Sequence, residues 1–242
     1  MRINRYAFVF VAPYVLLMSL TAVKAQTAVD YRFLEVLDAD RKPVAGARVE
    51  TNENNSSGQT DENGAIRVFP LYGGDINTRD VKVSKSGYFT YEEKDFFAFY
   101  WGFGPKSNLY GILLKGGSAK YGRSVPIKIE LLKMPATSAE RKTFEVKRQE
   151  QELLKAVKHG DAATVRSLLR AGVSANATDV YGIPAILLAV TVGYVEAINA
   201  LLTAGADVNA KLQGGVTALS LAKQNGDEKI IKLIESAASK PR

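Results

Sequence analysis

The sequence predicts a two-part α+β chain: an N-terminal antiparallel β-sandwich followed by an all-α stack of three helical repeats. Two observations carry this reading. Between Leu153 and Ala238 one pattern is written almost three times. Gly160, Gly193 and Gly226 recur every 33 residues, as do Ala156, Ala189 and Ala222, and Leu168, Leu201 and Ile234. A fixed period of about 33 residues marks small helical units that bury their apolar faces against their neighbours. Upstream, from Tyr31 onward, apolar and polar residues alternate in short runs between turn formers. That period of two marks strands with one buried and one wet face.

The chain opens with an address. Arg2 and Arg5 precede the apolar run Tyr6–Leu20, and Val23-Lys24-Ala25 places small residues around a cut before Gln26. This is the layout of a secretory signal over residues 1–25. The apolar run is shorter than the ~20 residues of a spanning helix, so no stable membrane span is expected after cleavage. The expected destination is the periplasm or the exterior. Removing Arg2, Arg5 and Lys24 lowers the formal charge of the 242-residue chain from +7 to +4. No dense Lys/Arg block interleaves with aromatics, so nucleic acid is not an expected partner. Cysteine is absent from the sequence, which excludes disulfides and cysteine-ligated zinc.

Residues 27–134 form the β-rich half. Arg48 and Glu50 alternate with Ala47, Val49 and Thr51; Lys82 and Ser84 alternate with Val81 and Val83; Lys128 and Glu130 alternate with Ile127, Ile129 and Leu131. Between the runs lie Asp38 to Pro43, Asp61-Glu62-Asn63-Gly64 and Ser86-Gly87, and Asn-Gly suits turn positions with positive φ. The elements Pro43-Val44-Ala45-Gly46-Ala47, Thr60-Asp61-Glu62-Asn63-Gly64 and Gly87-Tyr88, in that order, resemble the carboxypeptidase regulatory-like domain. That resemblance covers about Tyr31 to Tyr91, with Val125 to Leu132 as a last strand. It implies a transthyretin-like β-sandwich serving as an accessory module of secreted proteins, without catalysis of its own.

The chain departs from that family in an insert at 92–123, which carries Phe96, Phe97, Phe99, Tyr100, Trp101 and Phe103. Two readings stand. One is a hydrophobic hairpin packed on the sandwich. The other is an exposed platform, formed by Phe99, Tyr100, Trp101 and Phe103, for a glycan, the cell envelope or a partner protein, since aromatic faces give large contact area at low entropic cost.

Residues 135–150 read as a helical connector. Thr137 followed by Glu140 predicts a capping box, and the residues that follow favour helix. It is expected to cover the open end of the stack with polar residues. Residues 151–238 hold the repeats. Gly205-Ala206-Asp207-Val208-Asn209-Ala210 and Gly215-Val216-Thr217-Ala218-Leu219-Ser220-Leu221-Ala222 resemble the ankyrin repeat, with Ala218 in place of the usual Pro and Ser220 in place of the usual His. In the middle copy Pro184, Ala185, Ile186 and Leu187 replace the usual Thr-Pro-Leu-His, exchanging hydrogen bonds for apolar packing. The resemblance implies a protein partner bound by the turn tips and the first-helix faces. The residues so placed are Tyr181, Lys211, Leu212, Gln213, Leu188 and Lys223, together with Thr191, Ser220 and Gln224. Tyr181 and Leu212 stand out as large apolar groups on fingertips.

Catalytic, metal and cofactor sites are not expected. Asp61-Glu62-Asn63-Gly64 lacks the further ligands of a calcium loop, and Gly111 to Ser118 lacks the lysine of a phosphate-binding loop. His159, the one histidine, falls in a turn between helices, and the pair Glu92-Glu93 reads as solvated. The sequence therefore predicts an exported, non-enzymatic interaction protein, with binding of carbohydrate or cell envelope through the aromatic insert as the alternative.

Overall fold

The computed structural model describes residues 32–51, 57–68, 80–94, 127–212 and 214–239. The signal segment and the aromatic insert lie outside them. The β half contains β1 (Arg32–Asp38), β2 (Arg48–Thr51), β3 (Ser57–Gln59), β4 (Ala65–Val68), β5 (Val81–Ser84), β6 (Tyr91–Glu93) and β7 (Ile127–Leu131). They make a three-stranded sheet of order β4-β1-β7 and a four-stranded sheet of order β3-β2-β5-β6. The alternation in sequence becomes alternation in burial: Val81 and Val83 are buried and Lys82 is exposed. Leu34, Val36, Ile129 and Leu131 of the first sheet and Val49, Val81, Val83 and Tyr91 of the second share one apolar cluster.

Not every pairing is antiparallel. β1 and β7 run parallel, in register from Leu34↔Ile127 to Asp38↔Leu131. A parallel neighbour cannot be reached by a hairpin and needs a long connection. The chain between β1 and β7, which passes through β2 to β6, provides it, and strand alternation alone is blind to direction.

The turn motifs hold each other in place. Thr60 is buried; its hydroxyl donates to the Val44 carbonyl (2.6 Å) and accepts from the Ala47 amide (2.9 Å). One Asp61 carboxylate oxygen accepts from the Asn63 and Ala65 amides, both at 2.9 Å, so it is occupied in closing a turn. Gly64 sits at φ 70°, where a Cβ would lie 2.5 Å from the Val36 carbonyl oxygen.

The helical half comprises α1 (Ser138–His159), α2 (Ala162–Arg170), α3 (Ala185–Val192), α4 (Val195–Thr203), α5 (Ala218–Asn225) and α6 (Glu228–Ala238). These stack as the pairs α1/α2, α3/α4 and α5/α6. The first helix of each pair ends at Gly160, Gly193 or Gly226, all left-handed. Ala189 and Ala222 are fully buried, as close helix approach requires. Fingertip turns join successive pairs, with bridges Thr178↔Pro184 and Lys211↔Thr217. Asn176 ties one turn to the next by accepting from the Asp207 amide at 2.7 Å. The Ser220 substitution is compensated: Thr217 and Ser220 close a capping box at the start of α5. At Pro184 no side chain caps α3, and Ala185 to Thr191 are all buried instead.

α1 runs unbroken for 22 residues, so the connector and the opening helix of the first repeat are one element. Thr137 accepts from the Glu140 amide (3.2 Å), but the Glu140 carboxylate reaches the Ala136 amide (2.8 Å), one residue before the cap. The buried residues of α1 are Leu153, Leu154, Ala156, Val157 and Lys158. The covering of the stack thus comes from the C-terminal part of α1, while its earlier turns lie along the β half.

Gly160 and Gly226 occupy equivalent caps at φ 72° and 69°, but a Cβ on Gly160 would lie 2.6 Å from the Tyr194 ring, whereas one on Gly226 meets nothing within 4 Å. Gly160→Ala should therefore destabilise the protein by more than the ~1 kcal/mol expected from backbone strain alone, and Gly226→Ala by about that amount. Urea unfolding of both variants, with Tyr194→Ala relieving the excess at Gly160, checks this.

Candidate functional site

The most distinctive cluster of polar groups lies where α1 and the first fingertip meet β6 and β7. In β6 the alternation turns Tyr91 and Glu93 inward and Glu92 outward. The Glu93 side chain is 1% exposed and that of Lys158 6%. Lys158 Nζ stands 2.7 Å from Glu93 Oε1 and donates to Oε2 at 2.9 Å, while His159 Nε2 lies 3.2 Å from Oε1. The Tyr91 hydroxyl donates to Oε2. Oε1 receives no well-aligned hydrogen bond, so the charge of Lys158 and the contact with His159 are what stabilise it. Burial alone would push the Glu93 carboxyl up; the Lys158 charge and the contacts with His159, Lys158 and Tyr91 outweigh it and hold the group at about 2.

Further contacts run along the same side of α1. Lys155 Nζ donates to the Glu92 carbonyl at 2.7 Å and lies 4.1 Å over the Tyr91 ring. Burial is the main cause that lowers the pKa of Lys155. Gln151 donates to the Glu130 carbonyl at 3.0 Å, and the Tyr181 hydroxyl accepts from the Lys128 amide at 2.6 Å. Phe144 meets Phe89 edge to face at 5.8 Å. Between these contacts is a cavity of about 50 Å³, bordered by Lys128, Glu130, Gln151, Lys155 and Asp179. Burial raises the pKa of Glu130 at its wall. Such a volume suits a few waters at most.

A carboxylate held near 2 is far from the operating range of a general acid or base at neutral pH. What this arrangement does is fasten: the Glu93 charge on one half is neutralised by the Lys158 charge on the other. Reading Glu92-Glu93 as a solvated pair is corrected for Glu93, which is buried while Glu92 is exposed. The signal was available in the apolar–polar alternation through Tyr91. Among the described residues no group of three or more Asp, Glu or His has metal-binding geometry.

The structure separates the expected contact residues. Leu188 is fully buried and Thr191 nearly so, which corrects their placement on a binding face: the apolar turn of α3 packs them inward. Tyr181 is half-buried, with its hydroxyl on β7, so the large ring on this fingertip serves the chain's own packing. Leu212 is half-buried against the repeat core. Lys211, Ser220 and Gln224 are exposed, as is Lys223, whose Nζ lies 3.6 Å from Glu235. Gln213, Phe99, Tyr100, Trp101 and Phe103 lie outside the described residues.

The stretch with paired helices and fingertip turns carries three ankyrin repeats: the family described as Ankyrin repeats (3 copies) matches residues 153–241. Ankyrin repeats suggest a role in protein–protein interaction, and proteins built from them are typically non-enzymatic. No curated protein matches the chain.

The depressed Glu93 carboxyl sets a pH dependence. In the folded chain it binds fewer protons than its unfolded counterpart between about 4.5 and 2, so its stabilisation is complete above that window and is lost as pH falls through it. Glu93→Gln should cost ~3–5 kcal/mol at pH 7, because Lys158 is left buried without its counter-charge, and should flatten the acid limb. Urea unfolding at pH 7, 4 and 3 measures both effects; an unchanged acid limb in the variant would assign the acid sensitivity to other carboxylates.

Proposed function

We propose that this protein is an exported, non-enzymatic interaction protein whose ankyrin repeats bind a protein partner through the second fingertip and the adjoining face of α5. The observation that carries the reading is the inequality of the two fingertips. The first is engaged within the chain, through Tyr181 and Lys128. The second presents Lys211, Gly214 and Gly215 exposed, next to exposed Lys223 and Gln224. A tip whose outward residues are exposed is where an ankyrin stack has surface to offer.

The β half acts in this proposal as an accessory sandwich of the carboxypeptidase regulatory-like kind, fixed to the repeats. Two sheets sharing one apolar core, and the mutual bracing of the Pro43–Ala47 and Thr60–Gly64 turns, support that assignment. The basic start, short apolar run and small residues before Gln26 support export.

Photo-crosslinkers placed at Lys211 and Lys223 should capture the same protein from the native source, while one at Arg166, exposed on α2, should capture none. Equal capture at all three positions would reject a fingertip site. Intact-mass analysis of the native protein should give a chain starting at Gln26; a cytoplasmic chain retaining Met1 would remove export from the account.

A further inference from the structure

Among the described residues β6 and β7 are terminal strands of their sheets, and both border α1. A terminal strand offers main-chain N–H and C=O groups to any strand that approaches. Here side chains of the helical half take up those groups. Tyr181 accepts from the Lys128 amide, Gln151 donates to the Glu130 carbonyl and Lys155 donates to the Glu92 carbonyl, at 2.6, 3.0 and 2.7 Å. Residues 128 and 130 are two apart, so their main-chain groups point to the same side of β7, away from β1. At two successive outward positions, side chains stand where a neighbouring strand would.

The β7 sequence is complementary to itself. Ile127-Lys128-Ile129-Glu130-Leu131, laid antiparallel on a second copy about Ile129, places Lys128 opposite Glu130 in both directions and Ile127 opposite Leu131. Opposite charges directly across an antiparallel pair stabilise it. The residues so paired, 128 and 130, are those whose outward main-chain groups would exchange the hydrogen bonds. The apolar residues at 127, 129 and 131 would continue the buried face from one copy into the next. Such a contact is two-fold and closed.

We propose that β7 is a self-complementary docking edge and that the helical half guards it. With Tyr181 and Gln151 in place on β7 the chain is monomeric at this edge; when the guard is withdrawn, β7 pairs with β7 of a second copy. The inference is independent of which partner the second fingertip binds.

The test uses the full chain with Tyr181→Ala, Gln151→Ala and Lys158→Ala combined, studied by sedimentation at rising concentration beside the wild type. The wild type should stay monomeric and the variant should reach about twice its mass. Adding Glu130→Lys to the variant sets lysine against Lys128 of the other copy and should return it to monomer. Adding Lys128→Glu together with Glu130→Lys restores opposite pairs and should bring the dimer back. If the Lys158 change unfolds the chain, Tyr181→Ala with Gln151→Ala, which keeps the Glu93–Lys158 pair, is taken through the same series. A folded variant that stays monomeric, or one whose association ignores the charge exchange, overturns the proposal.

Discussion

A carboxylate with 1% of its side chain exposed is held between β6 and α1 by Lys158, His159 and Tyr91. Taking such a charge out of water costs several kcal/mol, and the cost is recovered only while its partners stay in place. Tyr91 lies on the same strand, but Lys158 and His159 belong to the other half of the molecule, with Lys158 65 residues further along the chain. Separating the halves would expose Glu93 to water but also break the Phe89–Phe144 contact and uncover the Tyr91 ring beneath Lys155. The pair adds little net stability by itself; its effect is to make any other docking of the halves unfavourable, since a shifted α1 would leave a buried charge uncompensated.

From that constraint follows the double use of α1. Its C-terminal turns supply Leu153, Ala156 and Val157 to the repeat core. Residues three and four apart on another side, Gln151, Lys155 and Lys158, serve the β half. One helix therefore belongs to two cores. It fixes the first fingertip against β7 and leaves the second outward, which is why a three-repeat stack offers a lopsided surface. The same contact covers the strand edges that a small β body would otherwise present to solvent.

Much of this was legible in the sequence. The glycines at 160, 193 and 226 marked helix ends because those positions are left-handed, and the period between them set the number of repeats. Val81, Val83, Ile127, Ile129 and Leu131 marked buried strand faces because side chains alternate. The direction of β7 was not legible, since alternation reads the same parallel or antiparallel. Nor were the roles of Glu93 and Tyr181, whose partners are distant in sequence: charge and aromaticity at a given position do not say what will be opposite. Leu188 was misplaced because the ankyrin pattern assigns its position to a surface, while the apolar neighbours Ile186, Leu187 and Val190 pull that turn of α3 into the core. Glu93 was the nearest miss, for the inward phase of its strand was set by Tyr91 two residues earlier.

Glu93 and Lys158 join the two halves into a single cooperative unit. Native-state hydrogen exchange tests it most directly, by comparing the Leu37 and Val83 amides of the β half with the Leu187 and Leu201 amides of the repeats. The slowest amides of both halves should open with the same free energy and the same dependence on urea. Two distinct opening free energies, with the repeats exchanging while the β half stays closed or the reverse, would contradict it.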